Sequence, residues 1–215
     1  MKYKAVLFDL DGTLINTLDD LTDVMNTTLA EFGGSAMTPQ QCRPLLGVGL
    51  RYWVENALPV DKHEFVEPLM TKFRALYNDN CLNKSAPYDG IMELTDKLAQ
   101  LGLKQAVVTN KNEDVSLVMI KKVFGEEKFP IIRGAVNGVG CKPDPQIVFD
   151  VLDEFGVKPE ETLFVGDGEA DLDVAKNSGA TSVWVSWGFR NPDELEGRKP
   201  DHTVNHPLEI IDLIK

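Results

Sequence analysis

Short, almost continuously apolar segments alternate with amphipathic segments along most of the chain. The apolar segments have the composition of strands in a parallel sheet, where both faces are buried. The predicted strands span residues 5–10, 105–108, 162–165 and 181–185. Each amphipathic segment has the hydrophobic period of a helix and is followed by a glycine, the residue that most often ends a helix. The predicted helices span residues 90–101, 114–124, 145–155 and 171–178.

This alternation predicts an α/β fold, with a doubly wound, Rossmann-like parallel sheet covered by helices on both sides. One long segment interrupts it: residues 15–83 contain helical patterns and no convincing strand. The stretch TPQQ at residues 38–41 is typical of a helix start with a capping box and an early proline. The predicted domains are a core of residues 1–14 and 84–215 and an all-helical cap of residues 15–83.

Composition and charge exclude several classes of protein. No apolar run approaches the roughly 20 residues that a membrane span requires. The net charge of −12 disfavours nucleic acid and anionic membranes as partners, since both attract clustered Lys and Arg. The first residues lack the features of a secretory signal, and the three cysteines form no CxxC pair. We therefore expect a cytoplasmic protein; a monomer and a homodimer are both open.

Polar residues follow the predicted strands, where open parallel sheets bind their ligands. Asp9 and Asp11 end the first strand, and residues i and i+2 of an extended segment share a face. Two carboxylates this close need a cation or a proton between them. Asp167 follows the third strand and completes a set of oxygen ligands that suits Mg²⁺, which commonly binds together with a substrate phosphate.

Each of these residues has a simpler interpretation when it is taken alone. The DxDG stretch and the pair Asp167-Gly168 are compatible with plain turns, and Thr109 or Asn110 with a helix cap. Lys142, in the turn KPDP, is compatible with a surface lysine. Their shared position at strand ends and helix starts favours a site for an anionic substrate, with phosphate as the leading candidate.

Four motifs, in order, resemble those of the haloacid dehalogenase superfamily. They are FDLDGTL at residues 8–14, VVTN at 107–110, CKPDP at 141–145 and VGDGEAD at 165–171. The inserted helices are similar to the family's first type of cap domain. Within the superfamily, the cap length and the segment GVGLRYWVENAL are similar to those of phosphoglycolate phosphatases.

The resemblance implies catalytic roles for four residues. Asp9 is expected to attack phosphorus and form an aspartyl-phosphate, and Asp11 to protonate the leaving alcohol and then activate water. Thr109 and Lys142 are expected to hold and neutralise the phosphoryl oxygens, with Asn110 helping to orient the substrate.

The resemblance also implies a magnesium site. Asp9, the backbone carbonyl of Asp11 and Asp167 are its expected ligands. Asp171 is expected to be a further ligand or to orient Lys142.

Further expectations concern the cap and its connections. Gly12, counted with the substrate-binding residues, would let the chain leave the first strand towards hinges near residues 14–17 and 83–87. Arg51, or the backbone N–H groups around Gly47 and Gly49, would contact the end of the substrate away from the phosphate. Gly47–Gly49 is equally compatible with a plain helix-start loop.

The sequence departs from the family pattern at three places. Gly168 replaces the usual small hydroxyl residue, which predicts weaker metal binding, and Asn16 stands where an acid is frequent. The cap loop reads GVGLR instead of the commoner glycine-asparagine-glycine, so the substrate is open.

Three functions are compatible with these residues. The favoured function is Mg²⁺-dependent hydrolysis of a small phosphorylated metabolite of the phosphoglycolate type. A phosphomutase or phosphotransferase similar to β-phosphoglucomutase would need polar cap groups that hold a sugar in two poses, and the cap offers few. A non-catalytic phosphate-binding module is disfavoured because a competent residue fills every catalytic position.

Overall fold

A computed structural model describes residues 2–136 and 141–214 of the chain. Its strands are β1 Ala5–Phe8, β2 Ile15–Asn16, β3 Ala86–Pro87, β4 Lys104–Asn112, β5 Ile131–Ala135, β6 Thr162–Gly166, β7 Thr181–Val185 and β8 His202–Val204. Its α-helices are α1 Leu18–Glu31, α2 Pro39–Cys42, α3 Leu50–Ala57, α4 Val66–Asn80, α5 Ile91–Gln100, α6 Glu113–Phe124, α7 Gln146–Phe155, α8 Glu169–Ser178 and α9 Ile210–Ile214. Short 3₁₀ helices span Arg43–Leu45, Val60–Phe65, Pro159–Glu161, Pro192–Leu195 and Pro207–Glu209.

Six parallel strands form the central sheet in the order β5-β4-β1-β6-β7-β8. Successive residues of β1 face opposite sides of this sheet, as the strand period requires. Ala5 and Leu7 pack into one apolar cluster with α7 and α8, whereas Val6 and Phe8 pack into the other with α5 and α6. This burial on both faces confirms the predicted doubly wound core.

The strand predictions were correct in position and incomplete in number. All four predicted strands are present, and β4 runs on to Asn112, so that Thr109 and Asn110 lie within the strand. The sequence pattern did not predict the two edge strands, Ile131–Ala135 and His202–Val204. Both are short. Arg133 and Gly134 interrupt the apolar run of β5, which is otherwise buried, and β8 has three residues of which only Val204 is buried.

The inserted segment is helical, but the expectation that residues 15–83 contain no strand was wrong at one end. Ile15–Asn16 pairs antiparallel with Ala86–Pro87, so the two connections between sheet and insertion lie side by side. Buried Asp20 strengthens this junction by accepting hydrogen bonds from the backbone N–H groups of Lys84 and Ser85 at 3.0 and 2.8 Å. The capping box at Thr38 and Gln41 is present as predicted.

Of the helices in residues 2–136 and 141–214, none is long and apolar enough to cross a membrane.

Candidate active site

Three buried carboxylates meet at the carboxyl edge of the sheet. Asp9 follows β1, Asp167 follows the neighbouring strand β6, and Asp171 lies in the first turn of α8. Each offers one carboxylate oxygen, and these oxygens all lie within 4.8 Å of one another. The parallel pairing of β1 with β6 brings residues 158 positions apart in sequence to one place.

Lys142 lies between two of these carboxylates. Its Nζ donates to Asp9 Oδ1 at 2.7 Å and to Asp171 Oδ1 at 2.6 Å, and its side chain is 2% exposed. The second oxygen of Asp171 accepts from the N–H of Gly168 at 2.9 Å. Burial alone would lower the pKa of Lys142, but the charges of Asp171 and Asp9 outweigh it and raise the pKa, so the lysine remains a cation.

Close backbone packing fixes Asp167. The N–H of Phe189 donates to Asp167 Oδ2 at 2.5 Å, and the Thr13 hydroxyl donates to Oδ1 at 3.4 Å. A Cβ on Gly188 would lie 2.2 Å from Asp167 Cβ, and one on Gly12 would lie 2.5 Å from Asp167 Oδ2. Gly12 also has a φ of +84°, which favours glycine. The two glycines therefore allow the carboxylate to sit against backbone.

The electrostatics of the cluster fit a divalent cation. Burial is the main cause that raises the pKa of Asp9 to about 6, and Asp171 and Asp11 add to it against the opposing effect of Lys142. Burial, Asp171 and Asp9 also raise the pKa of Asp167. The charge of Lys142 does not balance the three buried carboxylates, so the cluster keeps an excess of negative charge. Carboxylate oxygens are the ligands that Mg²⁺ prefers.

The Asp11 carboxylate binds a different set of donors from those of this cluster. It accepts from Lys111 Nζ at 2.8 and 2.9 Å and from the Thr17 hydroxyl at 2.7 Å. Lys111 Nζ also donates to the phenol oxygen of Tyr77, in helix α4, at 2.9 Å. Lys111 therefore connects Asp11 to the inserted helices.

The sequence matches the model of a known family over most of its length. That family, described as haloacid dehalogenase-like hydrolase, matches residues 6–185. The chain belongs to the haloacid dehalogenase-like hydrolases.

Relatives with assigned names support the same family. This hydrolase is 32% identical to the N-acetylmuramic acid 6-phosphate phosphatase of Pseudomonas aeruginosa, over 100% of this chain and 96% of the relative. It is also 32% identical to the phosphoglycolate phosphatase of Aquifex aeolicus, over 98% and 96% of the two chains. A solved structure from Lactobacillus delbrueckii subsp. bulgaricus covers 100% of this chain and 99% of its own, with a TM-score of 0.92 and 28% identity. The hydrolase is thus an enzyme of the phosphoric monoester hydrolase type, similar to phosphoglycolate phosphatases.

A cavity of about 460 Å³ opens over the carboxylates of this hydrolase. The sheet edge forms its floor, and the inserted helices supply a largely apolar roof that includes Leu50, Trp53 and Phe73. Such a mixture of apolar walls and a few convergent polar groups is typical of small-molecule sites.

The structure brings most of the predicted site residues to this cavity and leaves two outside its lining, Gly12 and Arg51. Gly12, predicted to bind substrate, lies against the Asp167 carboxylate instead. The cavity is lined by Asp9, Asp11, Thr109, Lys142, Asp167 and Asp171. Asn110 also lines it, but its amide bonds the carbonyls of Gly47 and Lys142 at 2.9 and 3.1 Å. Arg51, predicted to contact the substrate, is not among the lining residues. It is 54% exposed and pairs with Glu55 and Glu67, because its position on α3 faces solvent.

Several contacts join the cap helices to the sheet edge. Arg190 is buried in the loop after β7, and its guanidinium donates to the carbonyls of Arg43 and Leu46 at 2.9 and 2.7 Å. Arg43 pairs in return with Glu194 at 3.0 Å. These bonds hold the loop that carries Gly47 close to the cavity.

Sequence reasoning missed Lys111 and Arg190, and a signal was available for both. Lys111 stands two residues after Thr109, just beyond the carboxyl end of the second predicted strand, where the other site residues were sought. Arg190 follows the fourth predicted strand. Ligands bind beyond the carboxyl ends of parallel strands, and this rule holds for the fourth strand as well.

The raised pKa of Asp9 predicts how the stability of the metal-free enzyme depends on pH. Between the ordinary value of 3.8 and about 6, the folded state binds this proton and the unfolded state does not. The free energy of unfolding should therefore increase as the pH falls from 7.5 to 5, by an amount on the order of 1 to 3 kcal/mol. Urea unfolding in EDTA measures it, and Asp9→Asn should give a flatter profile. Parallel profiles for the two proteins would contradict the assignment.

The close approach of Gly188 to Asp167 predicts a second effect. Gly188→Ala should displace the carboxylate and reduce phosphatase activity by about 100-fold, the usual cost of a shift near 1 Å in an active site. Gly168→Ala is the matched control, because its φ of −122° suits any residue and its Cβ would lie 3.6 Å from Asp171 Oδ2. Equal activity of the two variants would show that the packing against Asp167 is unimportant.

Proposed function

We propose that this hydrolase is a Mg²⁺-dependent phosphatase that acts on small phosphomonoesters through an aspartyl-phosphate on Asp9. One observation carries the proposal. Asp9 is buried beside a lysine that binds only its Oδ1, and no donor within residues 2–136 and 141–214 bonds its Oδ2. A fixed carboxylate oxygen that lacks a hydrogen bond is the group that a nucleophilic attack on phosphorus requires.

The surrounding residues support two transfer steps. Asp9 Oδ2 would attack phosphorus while the bond to the ester oxygen breaks, and Asp11 would donate a proton to the leaving alkoxide. Asp11 would then take a proton from the water that attacks the aspartyl-phosphate, which releases phosphate and restores Asp9. Lys111 and Thr17 hold Asp11 in position for both transfers.

Thr109 and Lys142 would face the phosphoryl oxygens. Both are buried at the cavity floor, so their donors are fixed before the substrate binds. Preorganised donors and charges of this kind contribute most of the stabilisation in phosphoryl transfer. Asn110 would act by fixing the Lys142 backbone, whose N–H donates to its Oδ1 at 2.7 Å.

The buried carboxylates fit the expected magnesium ion. Asp9, Asp167 and the backbone carbonyl of Asp11 would hold it, and when bound it would supply positive charge beside the transferring phosphoryl group. Both oxygens of Asp171 already accept hydrogen bonds, from Lys142 and Gly168, which favours orientation of Lys142 over direct metal binding.

The two named relatives bear on the substrate. The compounds in their names are phosphoglycolate and N-acetylmuramic acid 6-phosphate. In both, the phosphate is an ester of a hydroxyl group, and the molecule also carries a carboxylate. A phosphoglycolate-type substrate is the first candidate. The cavity of about 460 Å³ is larger than a two-carbon ester needs, which favours a phosphorylated sugar acid as the second.

Hydrolysis of a substrate panel tests the function. The panel contains 2-phosphoglycolate, N-acetylmuramic acid 6-phosphate, glucose 1-phosphate, nucleoside monophosphates and pyrophosphate, each assayed with Mg²⁺ and with EDTA. We expect phosphate release from at least one phosphorylated acid, with loss of release in EDTA. Interconversion of sugar phosphates without phosphate release would indicate a mutase, and inactivity on every compound would indicate a binding module. A cytoplasmic location and a monomeric or dimeric state stay predictions.

A further inference from the structure

Two buried N–H groups in the roof of the cavity have no hydrogen-bond acceptor among residues 2–136 and 141–214. They are Nε1 of Trp53, in α3, and Nε of Arg74, in α4. Both residues line the cavity over the carboxylates. A buried donor that bonds nothing costs about 1 to 3 kcal/mol, so folded proteins rarely retain one without a function.

Arg74 also differs from the other cations that line the cavity in its ion pairing. Four further cations line the cavity, and each lies within 3.0 Å of a carboxylate oxygen: Lys111 with Asp11, Lys142 with Asp9, Arg190 with Glu169 and Arg198 with Asp173. Arg74 forms no ion pair and no hydrogen bond with any residue in the part of the chain that the structure describes. Its charge is available to a ligand.

Phe73 connects the helices that carry the two donors. The indole of Trp53 packs against the ring of Phe73 with centroids 5.6 Å apart and an interplanar angle of 71°. Phe73 directly precedes Arg74 in helix α4, and Phe73 in turn stacks on Tyr77 at 5.4 Å. Trp53, Phe73 and Tyr77 therefore form one aromatic wall, and Arg74 adjoins it in the sequence of α4 and lines the same cavity.

We propose that Trp53 and Arg74 bind a carboxylate on the end of the substrate away from the phosphate. This inference rests on the phosphatase function proposed above. A guanidinium and an indole N–H are donors only, so their ligand must be an acceptor, and the positive charge of Arg74 selects an anion. The phosphoryl group has its own cation at the cavity floor in Lys142, which leaves Arg74 for a second anionic group.

This assignment replaces the role that the sequence suggested for Arg51. Both arginines belong to the inserted helices, but Arg51 is neutralised by two glutamates on the outer surface. Burial of the substrate carboxylate between the Arg74 guanidinium and the aromatic wall would strengthen the ion pair, since water screens it less there.

Kinetics on matched ester pairs test the proposal. The first pair is 2-phosphoglycolate and 2-hydroxyethyl phosphate; the second is N-acetylmuramic acid 6-phosphate and N-acetylglucosamine 6-phosphate. In the first pair a hydroxymethyl group replaces the carboxylate, and in the second a hydroxyl replaces the lactyl ether that carries it. The pair whose acid the parent enzyme hydrolyses better is used. Arg74→Gln should lower kcat/KM for the acid by about 10- to 100-fold, mainly through KM, because hydrogen bonds to charged groups are strong. It should change kcat/KM for the carboxylate-free ester by less than about 3-fold.

Trp53→Phe and Lys72→Gln complete the experiment. Trp53→Phe keeps an aromatic ring and removes the N–H, so it should lower kcat/KM for the acid by roughly 5- to 10-fold, with a smaller effect on the carboxylate-free ester. Lys72→Gln removes a positive charge from the same helix, where Lys72 pairs with Glu31 outside the cavity, and should change neither value. Activity on the carboxylate-free ester reports that each variant is folded.

The kinetic results distinguish failure of the carboxylate site from failure of the proposed phosphatase function. Equal losses on both esters for Arg74→Gln would show that Arg74 binds the phosphoryl group or supports the fold, and would overturn the carboxylate site. Unchanged kinetics on the acid would overturn it as well. A parent enzyme that hydrolyses none of the four esters but releases phosphate from another phosphomonoester of the panel would overturn the carboxylate site alone. Inactivity on the whole panel would overturn the proposed function and the carboxylate site together.

Discussion

Asp9→Asn is expected to abolish phosphatase activity, with a loss on the order of 10⁴-fold or more, because the variant lacks the nucleophile for the covalent step. Asparagine has the shape of aspartate, and it removes a charge that burial disfavours. The variant should therefore remain folded and, in EDTA at pH 7.5, should resist urea at least as well as the parent. Steady-state kinetics and unfolding curves measure the two effects.

Trapping of the intermediate adds a direct check on this prediction. Acid quenching of the parent enzyme with radiolabelled substrate should leave label on the protein, and Asp9→Asn should leave none. Label retained by the variant would assign the nucleophile to another residue. Residual hydrolysis above about a hundredth of the parent rate would be incompatible with a covalent role for Asp9, since loss of a nucleophile costs far more.

Lys142→Met is the second substitution for which we expect a large effect. The lysine is the cation that contacts both Asp9 and Asp171, and its side chain is almost fully buried. Loss of a charge preorganised at the phosphoryl group should reduce kcat by about 10² to 10³-fold. The variant also leaves Asp9 and Asp171 without their partner, which should cost roughly 3 to 5 kcal/mol of stability in EDTA.

Two comparisons make the Lys142 prediction specific. Lys176→Met, at an exposed lysine of helix α8, removes the same charge and should affect neither activity nor stability. Mg²⁺ should restore part of the stability of Lys142→Met, because the ion would neutralise the same carboxylates. A Lys142→Met enzyme with normal activity, or one whose stability does not respond to Mg²⁺, would contradict the roles assigned to this cluster.

Local sequence patterns were sufficient to predict the core of the fold and the residues at the floor of the cavity. Apolar runs at β1, β4, β6 and β7 predict strands because burial on both faces requires apolar side chains at every position. Once the strands are known, the side chains after their carboxyl ends must meet, and this rule indicated Asp9, Thr109 and Asp167. The apolar pattern failed to indicate the edge strands, because Arg133 and Gly134 interrupt the short strand β5 and only one of the three residues of β8 is buried.

The roof of the site shows the limit of such patterns. Arg51 and Arg74 are both arginines on amphipathic helices of the insertion, and neither position alone indicates which one faces the cavity. The packing of α3 against α4 places Glu67 beside Arg51 and leaves Arg74 over the carboxylates. The interhelical contacts decide this, and they depend on side chains far apart in sequence.

The sequence by itself thus determined the α/β core, the order of its motifs and the acidic floor of the site, because strand periodicity and strand-end chemistry are local properties. Only the tertiary structure decided that Lys111 joins Asp11 to Tyr77 and that Arg190 holds the cap loop. It also decided that no carboxylate in the described part of the chain neutralises Arg74. These three results depend on which charged side chains come close enough to pair once the helices and strands have packed. Local sequence patterns do not specify distances between residues that are far apart in the chain.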